Sequence, residues 1–140
     1  MVKEITTEEF KAEVFDFSTE KEWKFKGGVP TIIDFYADWC GPCKTLGPTL
    51  EDIDNELGGK INVLKVNVDN QQELGAIFAI QSIPSMLFIP MEGSPQMAVG
   101  ALPKDVIYNA LKEICSIENP VGEEDVPTES SDEAQGPTQG

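Results

Sequence analysis

Two cysteines three positions apart, in Trp39-Cys40-Gly41-Pro42-Cys43-Lys44, are the residues of this chain with the most chemistry to offer. Across a first helical turn that spacing lets two sulfurs close a small disulfide ring. Zinc chemistry shares the pattern, because a C-x-x-C pair is half of a structural site that needs two further Cys or His ligands. The chain has no His, and its one other cysteine is Cys115. The pair therefore reads as a redox dithiol, with an inert pair as the other open reading. Cys40 is expected at a helix N-terminus, where free N–H groups and the positive dipole end stabilise a thiolate. Pro42 suits the first turn, since its missing N–H would have had no helical partner. No metal and no organic cofactor are expected beyond a redox-active Cys40–Cys43 disulfide.

Composition removes other classes of function. Without His there is no Ser-His-Asp or Cys-His catalysis, so proton transfer falls to carboxylates, Lys, Tyr or thiols. Twenty-five Asp and Glu face ten Lys and no Arg, a formal charge of −15. Such a surface repels polyanions and has no guanidinium to grip a phosphate, which excludes nucleic acid as a partner. The apolar runs are short and are broken by Asp34 or by prolines, well below the roughly 20 residues of a membrane span. The first ten residues have neither the basic nor the apolar stretch of a signal peptide. A cytoplasmic location is expected, with a periplasmic one open if a signal peptide has been removed.

The dithiol must be positioned by a single domain, because 140 residues leave no room for a second core. Residues 118–140 hold seven carboxylates, three prolines and no Lys. They are expected to form a disordered acidic tail, a solubilising end or a docking segment, leaving a domain over 1–117. Within it, Lys3–Ile5 reads as a short strand and Thr7 as the N-cap of a first helix. Trp23 and Phe25 alternate with Lys24 and Lys26, so residues 1–28 are expected to include an N-terminal extension or extra hairpin. Thr31–Ala37 is a buried strand by its β-branched and aromatic content. A helix over Cys43–Leu57 presents Leu46, Leu50, Ile53 and Leu57 on one face, and Gly58-Gly59 ends it. Strands at Ile61–Val68, Ser85–Ile89 and Gln96–Val99 and helices at Gln71–Ile80 and Lys104–Cys115 complete an α/β chain with a mixed sheet covered on both faces.

Several residues near the dithiol carry their own expectation. Asp34, between Ile33 and Phe35, is costly to ionise if buried, so its pKa should be raised; a solvent-facing edge position is the other reading. Lys65 projects from the neighbouring strand, as a partner for Asp34 through water or as a surface lysine. Trp39 offers a flat apolar face to an incoming chain, or packs in the core. Pro84, after Ile83 at a strand start, is a candidate cis peptide. Gly100 permits close backbone approach or simply makes a turn. Pro48 should kink the long helix, and Cys115 should be a buried inert thiol.

Four segments, Asp34–Lys44, Lys65–Asp69, Ser82–Ser85 and Val99–Leu102, resemble those of the thioredoxin family of bacterial type in order and spacing, over about Val29 to Cys115. The resemblance implies the thioredoxin fold, a central mixed β-sheet flanked by α-helices. It also implies reduction of protein disulfides, with Cys40 as nucleophile, Cys43 as resolving thiol and Asp34 as proton acceptor. The substrate surface it implies comprises Trp39, Gly41, Pro42, Ile83, cis Pro84, Gly100 and Ala101. Implied partners are disulfide-containing proteins and a thioredoxin reductase or other dithiol donor, with the chain acting as a monomer. An exported oxidase or isomerase and a non-catalytic binding module are the alternatives. Tyr36, where many members carry Trp, and Ser85, where Thr is usual, depart from the family pattern.

Overall fold

The computed structural model describes residues 1–120; the expected tail beyond Pro120 lies outside the described residues. Strand β1 (Lys3–Glu4) leads into α1 (Thr7–Glu13), β2 (Thr31–Tyr36) and α2 (Gly41–Leu57), which a short 3₁₀ turn (Gly58–Lys60) closes. β3 (Asn62–Asn67), α3 (Gln72–Ile77), β4 (Ser85–Ile89), β5 (Gln96–Val99) and α4 (Lys104–Cys115) follow. The five strands lie in the order β1-β3-β2-β4-β5, with β1, β3 and β2 parallel and β4 and β5 antiparallel to their neighbours. This is the expected mixed sheet, and the consecutive parallel pair β2 and β3 is joined through α2 because parallel strands need a long crossover.

Alternation of side chains along the central strands divides the core in two. Ile32, Val63, Met86 and Phe88 face the buried stripe of α2, Leu46, Leu50, Ile53 and Leu57, together with Ile107 and Leu111 of α4. Ile33, Phe35, Leu64, Val66 and Leu87 face Phe10 of α1 and Leu74 of α3. Each fully buried aliphatic contributes roughly 1.5–3 kcal/mol, so the two faces together fix β2 at the centre. α2 runs unbroken through Pro48, whose missing N–H leaves the Lys44 carbonyl without its helical donor. Cys115 is free and buried, as expected, and burial pushes its pKa up to about 11.

Three local expectations are corrected. The N-cap of α1 is Thr6 rather than Thr7: Thr6 Oγ1 accepts from Glu9 N–H at 3.1 Å, and Glu9 Oε1 accepts from Thr6 N–H at 2.9 Å. This capping box satisfies two donors at once. Thr7 instead is buried, and its hydroxyl donates to Gln71 Oε1 at 2.9 Å, tying α1 to the start of α3. No strand forms over residues 15–28. Trp23 and Phe25 are half-buried and stack at 6.4 Å and 8°, with Phe15 4.7 Å from the Trp23 ring. Their alternation with exposed lysines reflects one packed side of an irregular segment that has no neighbouring strand. Gly27 permits this packing, because a Cβ there would meet the Phe25 ring at 2.4 Å.

α3 ends three residues before the expected Ile80, because Ala79 lies in the left-handed region at φ 52°. Its turn is closed by Ile80 N–H donating to Gly75 O at 2.8 Å. The left-handed conformation costs an L-residue about 1–2 kcal/mol, and glycine gives back about 0.5–1 kcal/mol in chain entropy. Ala79→Gly is accordingly expected to raise stability by about 0.5–1 kcal/mol, read as a higher urea midpoint.

Candidate active site

The site forms where β2 ends and α2 begins. Cys40 is the N-cap of α2 in extended conformation, and its Sγ accepts the Cys43 N–H at 3.2 Å. A sulfur so placed receives a backbone donor and the positive end of a helix of 17 residues. The two sulfurs are bonded to each other, with the Cα atoms 5.3 Å apart. Exposure does not distinguish them: Cys40 is 4% and Cys43 6% exposed, since the bond holds both against Ala37 and Ile83. Their difference is positional, Cys40 at the helix end and Cys43 inside its first turn. Gly41 and Pro42 between them are exposed.

The turn before β4 supplies the opposite wall. The Ile83–Pro84 peptide is cis, as expected, and the Ile83 carbonyl oxygen lies 3.8 Å from Cys40 Sγ. Ser85 Oγ donates to the Ser82 carbonyl at 2.6 Å and braces the turn. At the end of β5, Gly100 N–H donates to the Pro84 carbonyl at 2.8 Å; its φ of 108° is a conformation that glycine adopts freely. Ile83 thus packs against the dithiol, Gly100 is tied to the cis turn, and Ala101 beside it is exposed. Trp39 is 70% exposed rather than packed in the core. Its indole Nε1 donates to Asp69 Oδ2 at 2.9 Å, a link between the β2–α2 and β3–α3 loops.

Behind the dithiol, Asp34 is buried in β2, 4% exposed, and its Oδ1 has no hydrogen-bond partner. Burial raises its pKa from 3.8 to about 7, with the Lys65 charge offsetting part of the effect. A cavity of about 220 Å³ is lined by Asp34, Tyr36, Asp38, Cys43, Lys44 and Lys65, so Asp34 and Cys43 border the same space. Lys65 stands opposite Asp34 in the strand register. It forms no ion pair with it among the described residues, and its ammonium lies over the Tyr36 ring, 5.5 Å from the centroid. The Tyr36 hydroxyl donates to Glu4 Oε1 at 2.7 Å; burial, then Glu4, pushes the phenol up to about 12.

Sequence reading did not anticipate the Tyr36–Glu4 and Trp39–Asp69 contacts. Both join residues about thirty positions apart, and no local spacing signals them. Among the described residues no group of three or more Cys, Asp or Glu is arranged to hold a metal, and no helix is long and apolar enough to cross a membrane.

Known proteins share this arrangement. The family model described as Thioredoxin matches residues 1–113. The thioredoxin of Borreliella burgdorferi is 42% identical over 113 residues, covering 81% of this chain and 97% of the relative. Thioredoxin 1 of Nostoc sp. is 34% identical over 109 residues, covering 78% and 92%. A crystal structure of chloroplastic thioredoxin z superposes with a TM-score of 0.67 at 29% identity, covering 81% of this chain and 93% of that one.

Proposed function

The chain belongs to the thioredoxin family, and from that membership, which makes it a thiol-disulfide oxidoreductase reducing protein disulfides, we propose how its residues divide the work. Cys40 is the nucleophile. Its thiolate attacks one sulfur of a substrate disulfide, the other sulfur leaves as a thiolate, and a mixed disulfide forms. Cys43 then loses its proton to Asp34 and attacks Cys40 Sγ. The Cys40–Cys43 bond forms, the substrate leaves with its second thiol, and two electrons have passed to it. The observation that carries this reading is the Cys40 sulfur at the α2 cap, bonded to Cys43 and beside the cis Ile83–Pro84 peptide.

An extended substrate segment lies along Trp39, Gly41, Pro42, Ile83, Pro84, Gly100 and Ala101, hydrogen-bonded to the Ile83 backbone as an added strand. The Cys40–Cys43 pair is the whole redox centre, without metal or organic cofactor. A thioredoxin reductase or another dithiol donor restores the reduced pair. The protein acts as a monomer in the cytoplasm, a reducing setting in which an unpaired thiol such as Cys115 is ordinary.

Insulin reduction by dithiothreitol, followed with and without the protein, tests the activity. Acceleration is expected, and none would favour a binding module. Equilibration of the pair against glutathione buffers tests its direction. A potential near −270 mV, the figure typical of thioredoxin, supports reduction, and one near −120 mV would make the protein an oxidant.

A further inference from the structure

Lys65 occupies the middle of a row of three charged residues across β1, β3 and β2. In register it stands opposite Glu4 of β1 on one side and Asp34 of β2 on the other, and residues paired in this way project to the same face. An ammonium between two carboxylates has two competing partners, and attraction is stronger towards the less solvated one, Asp34. Yet Lys65 forms an ion pair with neither among the described residues. Its Nζ lies over the Tyr36 ring at 5.5 Å. Tyr36 is two residues beyond Asp34 on the same face, and its hydroxyl donates to Glu4 at 2.7 Å. Glu4 therefore orients the phenol, and the ring face holds the ammonium by cation–π attraction.

This placement matters for the proton that Cys43 gives up. Asp34 faces Lys65 from β3, Tyr36 from its own strand, Cys43 and Lys44 from α2, and Asp38 from the loop between β2 and α2. Met86, its partner on β4, carries no charge. Lys65 is the charge opposite Asp34 in register. In direct contact it would hold Asp34 as a carboxylate and weaken it as an acceptor.

We propose that Glu4 and Tyr36 are positioning residues that park Lys65 on the Tyr36 ring, out of ion-pair contact with Asp34, and so leave Asp34 free to accept the Cys43 proton. The proposal rests on the reading of Asp34 as the proton acceptor.

The test is the titration of the Asp34 carboxyl, followed by carbon-13 NMR in the oxidised full-length protein. Tyr36→Leu frees Lys65 to move onto Asp34 and is expected to lower the midpoint by about one pH unit. Tyr36→Phe keeps the ring but loses its anchor on Glu4, and the midpoint falls by less. In a Lys65→Met background Tyr36→Leu should leave the midpoint where it is, since nothing remains to be parked. A midpoint that stays put or rises in Tyr36→Leu, or that falls equally without Lys65, overturns the proposal. A Tyr36→Phe midpoint equal to wild type overturns the part given to Glu4. Because this titration needs no substrate, its failure is separate from failure of Asp34 in turnover, which the Asp34→Asn kinetics judge.

Discussion

Cys43→Ser is expected to accumulate covalent complexes with protein substrates, and Cys40→Ser is expected to form none. The asymmetry follows from position. Cys40 caps α2 and lies beside the Ile83 carbonyl, so its sulfur meets an incoming disulfide first. Cys43 sits in the first turn of the helix, bordering Asp34's cavity, placed to attack Cys40 rather than a substrate. Removing Cys43 leaves the first exchange intact and deletes the internal nucleophile. Its replacement by an external thiol forfeits the effective concentration of a group held at 5.3 Å Cα separation, and insulin turnover should fall by roughly a hundredfold or more. Removing Cys40 should return the rate to the dithiothreitol background. Non-reducing electrophoresis of each variant with a disulfide substrate, with and without added dithiothreitol, reads the outcome. Iodoacetamide should alkylate Cys40 of the reduced wild type ahead of Cys43 and Cys115. Complexes trapped by Cys40→Ser instead would exchange the two roles.

Asp34→Asn should make the protein more stable and slower. The folded pKa of about 7 stands above the ordinary 3.8 because burial disfavours the charged form. The stability contributed by the neutral carboxyl is complete below the unfolded value. It is lost as pH rises from there through about 7. Above that point the fold carries an ionised buried carboxylate at a cost of up to roughly 4 kcal/mol. Asparagine removes the charge at nearly constant shape, so the variant should gain about 2–4 kcal/mol at pH 8–9 and converge with wild type near pH 4. Release of substrate, which requires Cys43 to lose its proton, should slow by roughly a hundredfold at neutral pH. Urea midpoints of the two proteins at several pH values, with single-turnover release rates, check both halves. Midpoints that run parallel from pH 5 to 9 would place Asp34 in contact with water.

Much of this site is legible without coordinates, for identifiable reasons. Cys40 and Cys43 are three apart, and Asp34 is a charge inside an apolar strand; both are local facts whose physical consequences are large. The stripe Leu46, Leu50, Ile53 and Leu57 repeats at helical period, and all four are buried. What escapes is of two kinds. Trp23 and Phe25 alternate with lysines as a strand would, but a strand needs a neighbour, and only packing reveals that these rings stack on each other, with Phe15 tilted against Trp23, instead. The partners of Tyr36 and Trp39 are fixed by sheet register and loop proximity, which single-residue reasoning does not reach. The capping of α1 is different, because Thr6 with Glu9 three positions on was readable, and the adjacent Thr7 obscured it.

The two edges of the sheet are guarded very unequally. β1 offers two residues, Lys3 and Glu4, both charged, which makes it a poor template for another chain. β5 offers four, Gln96 to Val99, none charged, with Met97 37% and Val99 60% exposed. Pro95 and Gly100 bound that strand and limit how far an intruding chain could pair. Its principal protection is long-range, the repulsion between molecules that each carry a charge of −15 at pH 7. Colloidal stability therefore rests on the carboxylates, and association along β5 is expected to be greatest near the sequence pI of about 4.1, where that charge is neutralised.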